Sequence, residues 1–564
     1  MKKILWSLLS LTVFFSLGFF LESSAAPNPA TEDRPKPKAP LLPRITSVDQ
    51  LVPFAKIVLQ RDYIGQRLGW SIKGGERVLL TFTSATHPMV REAFAQALRE
   101  LNCSVDIVIR EGRMPRWIRG SKEWADESIR LKKERLALDL NTIPEKKYPT
   151  WGGSGTPRPL KSDGLRISKD DLQKYDVIIG PAVGPGNTVG QAGGFWWAKT
   201  PELLASAGTI YPGELLDFID QKIWEVVRSA ERVEITGIQG TNFSFTWFPE
   251  WWELVEGTHP KIKGPGHLST FNALRPGRSE HAVFAGHLML HPRYGAIEGA
   301  DAAGVLTSQF GEWDPMWPPM SLSLDRGEIV KIEEGGHYGD FWRESLELTK
   351  DIIFPGHSRP GTAWMMEFSL GTNPKVVGAM RVEELKDLDR RDPMIMTWGD
   401  PRDRAGYIHS GFGARGASWW AEIYQMPVNH YHQFFPFITY DVITRDGRKV
   451  RLIDKGYLTM LDNPEVREMA ATFGDPDKLL SVDWVPEITP EGKIVAPESR
   501  LIPYDEWVAN LPFRLDDPKL VYQIPERLKK FYGEDRVTYY DPNEFMEFYK
   551  KIGQIPVKRV ESNQ

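Results

Sequence analysis

Cysteine is nearly absent. Cys103 stands alone among 564 residues, which excludes intramolecular disulfides, cysteine-rich zinc modules and iron–sulfur clusters together. Any metal must therefore sit on His, Asp or Glu. An excess of charge of one sign is also missing: 70 Lys and Arg nearly cancel 75 Asp and Glu, leaving a net charge of -5. No positive field is available to hold a phosphate backbone or anionic lipid, so nucleic-acid binding is not expected. Beyond the N-terminus no apolar run approaches membrane length. The chain is also too long for one small module, at about 150 residues per domain. With 41% hydrophobic and 11% aromatic residues it has the material for substantial cores.

Lys2 and Lys3, the apolar run Ile4 to Leu21, and Ser23-Ser24-Ala25 carry the basic start, apolar stretch and small residues of an export signal cleaved after Ala25. The run also falls within spanning length, so an uncleaved N-terminal anchor is the alternative. With no cysteine at the cleavage site, lipid attachment there is excluded. Residues 26–44, rich in Pro, Ala and Lys, read as an extended linker.

From about Ile45 strand-like and helix-like segments alternate. Arg77 to Thr83 predicts a buried strand, Pro88 to Leu101 a helix, and Ser104 to Ile109 a second strand, which together make a βαβ unit. Tyr175 to Gly180, a helix over Pro212 to Ser229 and a strand over Arg232 to Thr236 predict another, so a mainly parallel sheet is expected over 45–236. Gly184, Gly186 and Gly190 nearly form a dinucleotide fingerprint, but Pro185 and the lack of a helix after Gly190 speak against it. The polar stretch Ser121 to Asp163 reads as a solvated excursion.

Histidine is unevenly placed: His87 stands apart, and every other histidine lies between His259 and His432. Imidazole is the commonest neutral metal ligand and a proton carrier near neutral pH, so this crowding points to a metal or acid–base site. Taken singly, His267, His291, His337 and His357 read as surface or capping residues, while His281 and His287 stay open. Trp251, Trp252, Trp313, Trp317, Trp419 and Trp420 either line a groove or fill a core.

Three local patterns carry the chemistry. Glu367 stands in an apolar run just before Gly371-Thr372-Asn373-Pro374, where an unpaired carboxylate would be costly and a metal would offset the cost. His409 sits in a short strand-like segment bounded by small residues. His430 and His432, at i and i+2, share one face of a strand and so could present two ligands to one ion.

These landmarks resemble, over roughly residues 75–450, the aminopeptidase T type of metallopeptidases and their wider relatives, which include a dihydroxypyridine ring-cleaving dioxygenase. His87-Pro88 at a helix start comes first, then Gly240 to Phe245, similar to the family's Gly-Thr-Asp-Leu-Thr-Phe. Glu280 is similar to a metal-ligand glutamate, and Asp325 to Glu333 resembles a hairpin before Glu-Gly-Gly. Glu367 to Pro374 looks like Glu-x-Gly-Ile-Gly-Thr-Asn-Pro, His409-Ser-Gly-Phe-Gly like His-Ile-x-Leu-Gly, and His430-x-His432 takes the place of His-x-Asp. The resemblance implies a metal site of Glu280, Glu367, His409, His430 and His432, a zinc ion or alternatively manganese, cobalt or iron, and hydrolysis of an N-terminal peptide bond. At position 432 an imidazole replaces a carboxylate, which removes one negative charge from the site.

The expectation is an α/β chain. A mainly parallel N-terminal domain (45–236) precedes an α+β metal-site domain (237–450) and a C-terminal extension (451–564) that packs or wraps a homodimer interface. The leading function is an exported, periplasmic or secreted, metal-dependent hydrolase of peptides or small amides, with Glu280 or Glu367 accepting the proton of the attacking water. A non-haem iron oxygenase acting on an aromatic ring and an exported binding protein without chemistry are the alternatives. If the signal is cleaved, mass spectrometry of envelope-purified protein should find an N-terminus at Ala26. An intact Met1 in the membrane fraction would establish an anchor instead.

Overall fold

The computed structural model describes residues 35–61, 63–64, 67–68, 70–83, 86–110, 121–142, 150–151, 157–158, 174–179, 200–247, 287–289, 301–309, 318–354, 359–377, 403–413, 430–489, 494–495, 497, 499–521 and 558–560. The expected signal peptide, Gly184, Gly186, Gly190, Glu280 and the tryptophans at 251, 252, 313, 317, 419 and 420 lie outside the described residues. Among the described residues no helix is long and apolar enough to cross a membrane.

The first parallel unit forms as its apolar runs predict. β1 (Arg77–Thr83), α1 (Pro88–Glu100) and β2 (Ser104–Arg110) place Arg77 opposite Ser104 and Thr83 opposite Arg110. β1 is central because Val78, Leu79, Leu80 and Phe82 are all buried, which a strand covered on both faces requires. His87 is the N-cap of α1: its Nδ1 accepts the Met89 N–H at 3.2 Å, and Pro88 starts the helix.

After α2 (Lys122–Leu136), β3 (Val177–Ile179) completes the three-stranded parallel sheet on the other side of β1. α3 (Gly213–Arg228) and β4 (Ala230–Gly237) follow. Here the second parallel unit expected from sequence is not formed. β4 pairs antiparallel with β5 (Asn242–Thr246), across a turn in which the Gly237 N–H donates to the Thr241 carbonyl at 2.8 Å and Gly240 has φ +102°. So short a connection can only reverse the chain, and the local hairpin prevails over a crossover.

The remaining strands are β6 (His287–Met289), β7 (Ala303–Ser308), β8 (Met320–Asp325) and β9 (Glu328–Glu334), followed by helix α4 (Gly336–Thr349). Then come β10 (Met365–Gly371), β11 (Ile408–Gly413), β12 (His430–Phe435), β13 (Ile438–Thr444), β14 (Lys449–Asp454) and β15 (Tyr457–Leu458). They build two antiparallel sheets, one in the order β9-β8-β7-β5-β4-β13-β14-β15 and the other β6-β10-β11-β12. The larger sheet continues past residue 450 into the expected extension. Phe243, Phe245 and Tyr440 of that sheet meet Phe368 of the smaller one, with ring centroids 5.9, 6.2 and 6.4 Å apart. β9 is an edge strand, and Arg343 of α4 blunts it by donating to the carbonyls of Ile332 and Glu334 at 3.2 and 3.1 Å.

Two expectations of solvated chain are corrected. Leu41–Arg44, at the end of the presumed linker, is a strand running parallel to Arg500–Pro503, with Leu42 buried. The Lys/Arg/Glu-rich helix α2 turns Trp124, Ser128, Ile129, Lys132 and Leu136 inward, at helical spacing that its charges conceal. Trp124 packs on Tyr338 and Phe341 of α4 with centroids 5.8 and 4.4 Å away, and Lys133 pairs with Glu344 at 2.5 Å.

Lys132 itself is fully buried, and burial holds its ammonium well below the usual lysine value. An unfolded chain keeps that proton up to about 10.4 whereas the folded chain releases it lower, so between the two values unfolding takes up a proton and stability rises with pH. Denaturation of the wild type and of Lys132→Met between pH 6 and 10 is therefore expected to show the wild type gaining on the variant as pH rises. A pH-independent gap would rule this out.

Candidate metal centre

The site is laid out by the register of the smaller sheet. β11 reads Ile-His-Ser-Gly-Phe-Gly and is buried along its whole length. One row across the sheet joins Ser369, His409 and Phe434; the next joins Glu367, Gly411 and His432; Gly413 faces His430 one step further on. Paired positions share a face, so 367, 409, 430 and 432 all lie on one face of the sheet. Position 367 follows Ser369 in unbroken register, and the register shift that adds a residue to β10 lies just before it, between Met365 and Glu367. Gly411 carries no Cβ, which leaves bare backbone between the Glu367 position and His432.

His409 and His432 meet across the diagonal. Their ring centroids are 5.1 Å apart with planes at 87°, and Phe434 stands 5.7 Å from His409. Both rings are buried, at 0% and 5% exposure. Two imidazoles bonded to one ion at about 2.0–2.1 Å would have centroids roughly 4.5–5.3 Å apart for bond angles near 90–110°. The 5.1 Å separation lies within that range, and neutral imidazole can be buried at less cost than a second carboxylate. Among the described residues no three His, Cys, Asp or Glu side chains gather as ligands. Glu280 lies outside the described residues, and Glu367 and His430 are described as strand backbone alone.

The Gly-Thr-Asn-Pro stretch after β10 is a structural corner. Thr372 Oγ1 donates to Asp220 of α3 at 2.7 Å, Asn373 Nδ2 donates to the Gly208 carbonyl at 3.2 Å, and Asn373 Oδ1 accepts the Lys375 N–H at 2.9 Å. Lys375, buried, donates to Ser481 and to Asp483 at 2.9 Å. Thr372 thus ties the end of this strand to α3, Asn373 ties it to the Gly208 carbonyl ahead of that helix, and Lys375 ties it to the C-terminal segment. His337, one of the histidines read as a surface residue, is exposed, with Nδ1 3.8 Å from Asp340.

Sequence reasoning missed a polar cluster behind the sheet. Lys132 Nζ donates to Ser345 Oγ and lies 3.4 Å from the Tyr431 hydroxyl, and the Ser345 and Tyr431 hydroxyls are 2.7 Å apart. The signal that would have found it is Lys132 falling in the apolar stripe with Trp124, Ser128 and Ile129.

No protein-family model and no curated protein matches the chain. Solved structures similar to it include two enzymes. A 2,5-dihydroxypyridine dioxygenase from Pseudomonas putida shares 16% identity at a TM-score of 0.38, over 75% of this chain and 99% of its own. AmpT from Thermus thermophilus shares 12% at 0.34, over 73% and 99%. Likeness of this order does not establish a common fold, and the chemistry rests on the site's own residues.

If His432 is a ligand, replacing it by alanine is expected to weaken metal retention by about 10- to 100-fold, a floor taken from losses of groups that only support ligands. His432→Asp restores a negative charge and is expected to raise occupancy by a second divalent cation. Titration of both variants decides: unchanged stoichiometry and affinity in each removes His432 from the ligand set.

Proposed function

We propose that the chain is a metal-dependent hydrolase of peptides or other small amides. One observation carries the reading: two buried imidazoles 5.1 Å apart share a sheet face with the Glu367 position, which pairs with Gly411, a residue without a side chain. Two histidines and one glutamate are the donor set of hydrolytic zinc sites. His409, His432 and Glu367 would hold the ion, with His430 and Glu280 completing the set. A divalent cation bound there supplies polarisation of the amide carbonyl and an acidified water. Glu280 or Glu367 takes the proton of that water on a carboxylate oxygen and passes it to the leaving amine. The buried setting excludes bulk water and strengthens each of these interactions. In the same reading the protein is exported to the periplasm or beyond and acts as a homodimer.

A second reading shares the same donors. Two histidines and one carboxylate also form the facial triad of non-haem iron oxygenases, and the imidazole at 432, where a carboxylate would favour a close pair of cations, suits a single ion. Metal analysis of the purified protein, with assays of amine release from peptides and of oxygen uptake with dihydroxylated aromatics, separates the two. Zinc, cobalt or manganese with amine release is the expected outcome. One equivalent of iron with oxygen uptake replaces hydrolysis by oxygenation, and metal-free protein inactive in both assays after metal addition rules out both.

A further inference from the structure

Among the described residues β12 is the terminal strand of the four-stranded sheet, hydrogen-bonded to β11 on one side. Its even positions, His430 and His432, lie on the site face. Its odd position between them, Tyr431, pairs with Phe412 and points the other way. There the Tyr431 ring packs on Trp342 and Phe341 of α4, with centroids 4.6 and 5.4 Å away. Its hydroxyl enters the cluster with Ser345 of α4 and Lys132 of α2. All three side chains are buried, with Lys132 Nζ lying 5.7 Å from the centre of the Phe341 ring.

A lysine in such a place is an expensive way to pack two helices. Leucine or methionine would fill the volume without desolvating an amine. What the lysine adds is direction: a donor from a second helix, shared between a serine and a tyrosine, fixes the phenol and so the rotation and height of one strand. Beyond β11, the described hydrogen bonds to this strand come at its far end, where the Ser308 hydroxyl donates to the Phe434 carbonyl at 2.6 Å and Gln433 Nε2 donates to the Met320 carbonyl at 3.4 Å, and neither reaches the Tyr431 end.

We propose that Lys132 is the positioning residue of the histidine strand, holding β12 from behind through Ser345 and Tyr431 so that His430 and His432 keep their place on the opposite face. The role rests on the metal reading of that face. Ser345 and Lys132 take no part in bond-making there, because the sheet stands between them and the histidines. They act as the supporting layer that orients ligands, whose loss in metal proteins costs about 10- to 100-fold in affinity.

The test uses the full chain and two variants. Tyr431→Phe keeps the ring on Trp342 and removes only the hydroxyl; Lys132→Met keeps the volume and removes the donor. Cobalt affinity is read by chelator competition together with the visible cobalt spectrum, and amide hydrogen exchange is followed at 430–435 and at 438–444. Each variant is expected to bind cobalt about tenfold more weakly than wild type with an altered spectrum, and the double variant no more weakly than the worse single one, because both cut the same chain of hydrogen bonds. Exchange is expected to quicken at 430–435 and to stay unchanged at 438–444. Wild-type cobalt affinity in both variants overturns the proposal. Should Lys132→Met not fold, Tyr431→Phe decides alone. If the wild type itself binds no cobalt, the metal reading fails and exchange decides the rest: quickening at 430–435 keeps Lys132 as the support of the strand, and no change there overturns that too.

Discussion

Everything around the site depends on one close approach of backbones where the two antiparallel sheets exchange a chain. β12 ends at Phe435 in the smaller sheet, and after Pro436 and Phe437 the chain is already β13, inside the larger one. Three loops meet at that point. Gly456 adopts φ +86°, and a Cβ there would lie 2.0 Å from the Pro436 carbonyl oxygen; Gly406 adopts φ +81°, and its Cβ would lie 2.2 Å from the Gly456 oxygen. Only glycine satisfies both conditions at either position, the left-handed backbone and the missing side chain. Because only Tyr407 separates Gly406 from β11, the same contact sets where His409 enters the sheet.

Buried cations seal this junction, and they do it with carbonyls rather than carboxylates. Arg404, fully buried and with its pKa lowered by burial to about 10, donates to the Trp484 carbonyl at 2.7 Å and to those of Ala405 and Gly456 at 3.1 and 3.2 Å. Its guanidinium also lies near the Tyr407 and Trp484 rings. Arg61 does the same elsewhere, bridging Thr209, Tyr211 and Leu520. Irregular loops buried against one another leave carbonyls without ladder partners, and a planar fork with several donors satisfies them in one step. This is how the C-terminal segment becomes part of the body, since both arginines reach into it.

What could be read from the sequence follows from the range of the forces that decide each element. The βαβ unit around β1 and the cap at His87 are local, set by an apolar run, a proline and a histidine at its N-terminal side, and they appear where expected. The histidines 430 and 432 were readable as one face of a strand for the same reason. Failure came where tertiary partners decide. β4 has the composition of a parallel strand and joins an antiparallel sheet, because the Gly240 turn offers β5 as a nearer neighbour. α2 looks solvated by charge count, yet its Trp124 stripe meets α4, more than two hundred residues later. In the Gly-Thr-Asn-Pro stretch the Thr372 and Asn373 side chains anchor the end of β10, one to Asp220 of α3 and the other to the Gly208 carbonyl, and such long-range partners cannot be read from local sequence.

The alternation of β12 shows why site and scaffold can change independently here. Tyr431, Gln433 and Phe435 face the packed side, where Trp342, Phe341 and Phe368 form a floor of rings. The positions of His430, His432 and Phe434 face the site. A period of two residues thus separates the groups that keep the strand in place from those that would hold an ion, within six consecutive residues. Exchanging the imidazole at 432 for a carboxylate would alter charge on one face and leave the rings packed on the other in place. The fold therefore sets little resistance to a change of charge at position 432, because the side chains that hold the strand in place stand on its other face.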